Sequence, residues 1–239
     1  MPGENKPMII ENYQSVVSDI KHAAALSNRQ ATDISLVAVS KTFSADCIQP
    51  LLAHGHRIFG ENRIQEVEEK WPYLRSLYSD IQLHLIGPLQ SNKVRKAIQL
   101  VDVIETIDKP DLLDRLCRIT QEEEKFPDIF IQVNIGEETQ KAGCLPVKFS
   151  ELVAMARSDY KGQLRGIMVI PPIDQEPAPY FAWARQLADD EGLASCSMGM
   201  SGDYKIAIAQ GSNYVRVGSA IFGQRETQSH KVNDPIQHQ

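Results

Sequence analysis

Ile9, Tyr13, Val16, Val17, Ile20 and Ala24 recur at helical spacing, so residues 8–27 read as an amphipathic helix that precedes everything else. The pattern then changes. Short apolar runs at 34–40, 57–60, 82–87, 101–106, 128–135, 164–170, 194–198 and 214–218 alternate with helical periodicity near 44–54, 62–77, 91–98, 109–123, 146–158, 176–190 and 203–210. Runs this short, closed by glycine, asparagine or proline and separated by helices, are the mark of successive βαβ units and a parallel sheet. Eight of them suggest an α/β fold closed as a (β/α)8 barrel, the TIM-barrel architecture, with an extra N-terminal helix. A doubly wound open sheet is the alternative, but it usually carries Gly-x-Gly-x-x-Gly after its first strand, where this chain has Ser40-Lys-Thr-Phe43. We expect a single domain over residues 1–239, with a polar, frayed tail after about residue 224.

A chain of 239 residues with 42% hydrophobic content can bury one large core at the size of a single barrel. The formal charge of −6, with lysine and arginine dispersed along the chain, argues against a nucleic-acid or anionic-membrane surface and for a small partner. Cys47, Cys117, Cys144 and Cys196 are far apart and form no Cys-x-x-Cys pair, so they are expected to be reduced thiols. The N-terminus lacks the order of a signal peptide and no apolar run approaches membrane-spanning length, which leads us to expect a cytoplasmic protein, and a monomer. The histidines form no His-Glu-x-x-His motif. We expect no metal, and simple solvation for His54 and His56 in their loop.

Three strand ends carry candidate chemistry. Lys41 follows the run Ile34-Ser-Leu-Val-Ala-Val-Ser40, where an amine at the tip of a buried strand can condense with an aldehyde; the plainer alternative is a solvated loop lysine. Ser197-Met-Gly-Met-Ser-Gly-Asp203 is a strand running into a glycine turn and a helix, able to aim N–H groups and a hydroxyl at a phosphate. It is neither a Walker loop nor a nucleophile elbow, and an ordinary turn capped by Ser201 or Asp203 is the alternative. In Tyr214-Val-Arg-Val-Gly-Ser-Ala-Ile-Phe-Gly223, Arg216 interrupts an apolar strand and must be paired or serve a ligand; a salt bridge to a strand carboxylate such as Glu105 is the structural option. In a barrel the ligand site lies at the C-terminal strand ends, with phosphate often held after strands seven and eight. Strands one, seven and eight are neighbours around the ring, so amine, phosphate cradle and arginine converge on one ligand: an aldehyde with a phosphate and a heteroaromatic nitrogen. Pyridoxal 5′-phosphate fits all three.

Over roughly residues 30–225 the sequence resembles the pyridoxal phosphate homeostasis protein family, which has the alanine-racemase-like barrel of fold type III. The resemblance rests on Ala38-Val-Ser-Lys41, Phe59-Gly-Glu-Asn62 with Gln65-Glu66, His84-Leu-Ile-Gly-Pro-Leu-Gln-Ser-Asn-Lys93, and Asn134-Ile135. It continues through Lys141-Ala-Gly143, Gly166-Ile-Met168, Ser197-Met-Gly-Met-Ser201 and Val215-Arg-Val-Gly-Ser-Ala-Ile-Phe-Gly223. It implies that Lys41 carries the cofactor as a covalent internal aldimine, that Arg216 faces the pyridine nitrogen and that Asn62 lies near the ring. Met200, Ser201, Gly218 and Ser219 would hold the phosphate; Lys93 ranks below these. Serine stands at 219 where the family often has threonine, which keeps the hydroxyl. The segment Ala188 to Ala194 is shorter than in relatives, which bears on how the preceding helix packs.

The family resemblance implies a non-catalytic carrier or regulator that supplies or buffers pyridoxal phosphate for apo-enzymes. An amino-acid racemase on the same barrel is the alternative. It needs two acid–base groups, and the second, in alanine racemases, comes from an added β-domain; an arginine at the pyridine nitrogen also weakens the ring as an electron sink. A Schiff-base aldolase would leave Arg216 unexplained.

Overall fold

The computed structural model describes residues 6–223 and is a closed barrel of eight parallel strands in sequential order, β1 pairing with β8. The strands are β1 (Ser35–Val39), β2 (Ile58–Glu61), β3 (Gln82–Leu85), β4 (Val103–Ile107), β5 (Asp128–Val133), β6 (Leu164–Val169), β7 (Ser195–Met200) and β8 (Tyr214–Val217). Around them lie α2 (Ala45–Ala53), α3 (Ile64–Leu77), α4 (Val94–Leu100), α5 (Pro110–Glu123), α6 (Pro146–Asp159), α7 (Pro177–Asp190) and α8 (Tyr204–Ala209), with α1 (Lys6–Leu26) ahead of β1 and α9 (Ser219–Phe222) after β8. Pro110, Pro146 and Pro177 each open a helix, where a missing N–H is no loss and the fixed φ is already helical.

Both faces of each strand are buried, which is why the strands read as continuous apolar runs and not as alternations. Side chains such as Leu36, Ala38, Leu83, Ile131, Ile167, Val215 and Val217 face the helices and join the large outer core. Val37, Val103, Phe130, Met168 and Tyr214 fill the barrel interior. Register places Val37 beside Arg216, so Arg216 shares the interior phase of β8 with Tyr214, two residues earlier. The same phase puts His84, Glu105, Gln132 and Ser197 inside, all of them buried. An apolar floor thus supports a polar layer.

α1 starts two residues earlier than the periodicity predicts and lies against α8, α9 and α2. Asn12 Nδ2 donates to the Ile221 carbonyl oxygen at 3.1 Å, and Asp19 accepts from the Tyr204 hydroxyl at 2.9 Å. The expected helix at 91–98 divides into a tight turn, Ser91–Lys93, and α4, and the short α9 was not anticipated. In the compact connection before β7, Gly192 at φ +62° turns the chain and Arg185 Nη2 donates to the Leu193 carbonyl oxygen at 2.7 Å. The expected tail after residue 224 lies outside the described residues.

One expectation is corrected. His54 is exposed, but His56 is buried: Nε2 lies 2.7 Å from the Ile58 carbonyl oxygen and Nδ1 3.3 Å from the Tyr13 hydroxyl, because the loop turns the ring under α1 against Phe59. Cys117, Cys144 and Cys196 are buried, Cys47 half-buried, and none is paired. Among the described residues no helix is long and apolar enough to cross a membrane, and no group of three or more His, Cys, Asp or Glu could hold a metal ion.

Candidate functional site

A cleft of about 870 Å³ opens at the C-terminal ends of the strands. Lys41, Asn62, Met200, Ser201, Arg216, Gly218 and Ser219 all line it, brought together from β1, β2, β7 and β8. Lys93 does not line it; that residue ends the turn beyond β3.

Lys41 sits two residues past β1, half-buried. Among the described residues its amine has no hydrogen-bond or ion-pair partner, so it is free for the cleft. Asn62 directly follows β2 and is placed by its neighbour: a Cβ on Gly87 would stand 2.2 Å from the Asn62 carbonyl oxygen, so only glycine lets the two backbones meet. The Gly87 carbonyl oxygen in turn accepts from Thr106 Oγ1 at 2.9 Å, which ties that approach to β4. This gives His84-Leu-Ile-Gly87 a physical role in shaping the rim.

Arg216 is nearly fully buried, and the structural option, a pairing with Glu105, is present. Its Nη1 donates to Ser197 Oγ at 2.7 Å and lies 3.8 Å from Glu105 Oε2; its Nη2 donates to the Val169 carbonyl oxygen at 2.9 Å. Nε has no partner among the described residues, and the side chain borders the cleft. Glu105 also accepts from the Ser197 hydroxyl at 2.6 Å and lies 2.6 Å from His84 Nδ1. Burial pushes the Glu105 carboxyl up, but His84, Arg216 and Ser197 outweigh it and hold the group below the usual carboxylate range. Burial pushes Arg216 below the usual guanidinium value, partly offset by Glu105 and Asp203.

In the turn after β7, Ser201 Oγ accepts from the N–H groups of Gly218 at 3.2 Å and Ala220 at 3.4 Å. A hydroxyl has two acceptor sites and one proton, so the Ser201 proton is left to donate outward. The alternative of a side-chain cap on α8 by Ser201 or Asp203 is absent, and Asp203 Oδ1 accepts the Met200 N–H at 2.6 Å. Met200 therefore offers its side chain, and not its N–H, to the cleft in this arrangement. Ser219 is exposed at the start of α9.

Gln132 and Lys141 also line the cleft and were not singled out as site residues. Lys141 Nζ is 2.5 Å from Glu138 Oε2 and 3.1 Å from the Pro171 carbonyl oxygen. Its motif with Gly143 was visible in the sequence, but no periodicity shows that the long loop after β5 folds back. Gly143, at φ +118°, makes that fold possible: a Cβ there would stand 2.4 Å from the Asn134 backbone nitrogen.

The amine, the guanidinium with a free Nε, and the hydroxyls beside Gly218 suit an aldehyde with a ring nitrogen and a phosphate. Gly218 itself leaves little room for a side chain, since a Cβ would stand 3.2 Å from the Val39 carbonyl oxygen. Residues 14–226 match the family of alanine racemase N-terminal domains. The pyridoxal phosphate homeostasis protein of Escherichia coli is 37% identical over 227 residues, covering 91% of this chain and 97% of that protein. Its counterpart in Aquifex aeolicus is 32% identical, covering 90% and 98%. PipY of Synechococcus elongatus, solved with pyridoxal phosphate bound, is 36% identical with a TM-score of 0.76, covering 86% of this chain and 100% of that one. An alanine racemase of Clostridium difficile, 15% identical with a TM-score of 0.66 and covering 91% and 58%, shares the fold. The chain belongs to the pyridoxal phosphate homeostasis proteins, built on the alanine racemase N-terminal barrel.

Proposed function

From this membership we propose that the protein binds pyridoxal 5′-phosphate as a Schiff base on Lys41 and supplies or buffers it for apo-enzymes, without turning over amino acids. The observation that carries the reading is the unpartnered Lys41 amine in the same cleft as the Arg216 guanidinium, whose Nε is free. Bound there, the cofactor supplies an aldehyde and a conjugated pyridine ring. Lys41 would provide the nucleophilic amine. Arg216 would donate toward the ring nitrogen, Asn62 would flank the ring, and Met200, Ser201, Gly218 and Ser219 would hold the phosphate. The proposal includes a single-domain monomer acting in the cytoplasm.

The non-catalytic part rests on the lining. Besides Lys41 and Arg216, Lys141 is the remaining titratable side chain among the described lining residues, and Glu138 and Pro171 already engage its ammonium. Among the described residues no tyrosine lines the cleft to serve as the opposite-face acid of a two-base racemase.

Three measurements test the reading. Purified protein with pyridoxal phosphate should be yellow, with a borohydride-reducible adduct that maps to Lys41 and is lost in Lys41→Ala. Mixing holo-protein with an apo-enzyme should restore that enzyme's activity. Incubation with L-amino acids in deuterated water should give no racemisation at ordinary enzymatic rates of roughly 1 s⁻¹ or faster; Lys41-dependent racemisation at such rates would make the protein a small racemase.

A further inference from the structure

The loop Ser40–Phe43 is gripped from behind by side chains that the proposed function does not use. Lys70 Nζ donates to the Ser40 carbonyl oxygen at 3.0 Å and the Phe43 carbonyl oxygen at 3.1 Å, and lies 2.7 Å from Glu61 Oε1. All three ammonium protons are thereby taken. Glu61 Oε1 also accepts from Ser40 Oγ at 2.7 Å and from Trp71 Nε1 at 3.0 Å. From one turn earlier on α3, Glu66 Oε2 accepts the Thr42 N–H at 2.7 Å and lies 3.5 Å from Lys70 Nζ. Two carbonyls, one N–H and one hydroxyl of a four-residue loop are fixed by three side chains, none of which holds the side chain of Lys41.

Two features set this apart from ordinary core packing. Thr42 has φ +68°, a left-handed conformation that a β-branched residue adopts only under constraint, and Glu66 supplies the constraint. Glu61 is completely buried, and its Oε2 has no hydrogen-bond partner. Burial pushes its carboxyl above the usual range despite Lys70, Ser40 and Trp71. A buried ion pair of this kind is a poor source of stability compared with apolar side chains of the same volume, so its presence calls for a local task. The task in view is the backbone on either side of Lys41.

We propose that Glu61, Glu66 and Lys70 form a positioning clamp that fixes the Lys41 backbone, so that its amine meets an aldehyde in the cleft from one direction. The inference rests on Lys41 being the anchor. With the backbone fixed, the only freedom left to order on reaction is that of the lysine side chain, and misplacing a nucleophile by about 1 Å costs on the order of a hundredfold in rate. In the step concerned the Lys41 nitrogen bonds to the aldehyde carbon, and the carbonyl oxygen departs as water with two nitrogen-bound protons.

The test separates covalent capture from binding. Capture is timed by rapid mixing with pyridoxal 5′-phosphate, a borohydride quench and mass spectrometry. Binding is titrated with pyridoxamine 5′-phosphate, which has no aldehyde for Lys41. Glu66→Ala should slow capture about tenfold to a hundredfold while leaving pyridoxamine phosphate affinity unchanged. Glu66→Gln keeps an oxygen for the Thr42 N–H and should recover the rate. Lys70→Met, checked for folding by thermal melting, should resemble Glu66→Ala. Unchanged capture in folded Glu66→Ala and Lys70→Met, or a parallel loss of capture and pyridoxamine phosphate affinity, would overturn the clamp. An adduct on another lysine in the unmutated protein would instead overturn the anchor reading itself, and the clamp with it.

Discussion

Arg216 Nη1 and Glu105 Oε2 lie 3.8 Å apart inside the barrel, with the Ser197 hydroxyl between them at 2.7 and 2.6 Å. A charge in a low-dielectric interior needs such an arrangement, and here it also leaves the guanidinium edge at the cleft oriented. Glu105→Gln should cost about 3 kcal/mol, because it leaves the buried arginine uncompensated. The carboxyl sits below its unfolded value in the fold, so its contribution is complete above about pH 4.3 and fades as pH falls through the lower folded value. Urea unfolding of both proteins at pH 7 and near pH 3 checks this: the difference between them should shrink in acid.

Removing the hydroxyls of Ser201 and Ser219 together should weaken pyridoxal phosphate far more than pyridoxal, which lacks the phosphate. Each hydrogen bond to a charged group is worth on the order of 1.5–3 kcal/mol, so the double variant should lose more than a hundredfold in affinity for the phosphorylated ligand. Equal loss for both ligands would mean that Ser201 acts through its bonds to Gly218 and Ala220, as a brace for the fold.

Gly87→Ala tests the approach of β3 to Asn62. The added methyl would meet the Asn62 carbonyl oxygen at 2.2 Å, and the Thr106 bond holds the loop in place, so a loss of about 1–3 kcal/mol is expected together with weaker cofactor binding. Gly202→Ala adds a methyl with nothing within 4 Å and should leave stability unchanged. Thermal melts of the two variants side by side give the comparison.

His56 makes a prediction about pH. Burial pushes its imidazole down to about 4, against an ordinary value of 6.5, so the folded protein holds a neutral ring where the unfolded chain takes up a proton. Stability from this group is complete above about pH 6.5 and is lost as pH falls toward the folded value, by roughly 3 kcal/mol between pH 7 and pH 4 at about 1.4 kcal/mol per unit. Chemical denaturation across that range should show a flatter slope for His56→Gln than for the unmutated protein.

The barrel was legible because its cause is local and repeated. Strands buried on both faces must be short and apolar, helices must show one apolar face, and eight alternations leave little choice of architecture. Lys41, Ser201 and Arg216 could be read as neighbours, since a closed ring puts strands one, seven and eight side by side. His56 was misjudged because loop position says nothing about which element covers the loop, and here α1 does. Which donor the Asp203 carboxylate takes is likewise a matter of tertiary placement: it accepts the Met200 N–H and caps no helix N–H.

The sequence by itself determined the order of elements and the need of a charge such as Arg216 in an apolar strand for a partner, because these follow from side-chain period and from the cost of an unpaired charge. What only the tertiary structure decided is who pays attention to whom across the ring. Lys70 reads as one more residue of an amphipathic helix until folding brings it to the carbonyls of Ser40 and Phe43. Glu105 and Ser197 lie 92 positions apart and meet only when the barrel closes. Spacing along a chain encodes a face, whereas a hydrogen bond requires a distance, and distances between strands exist only after closure.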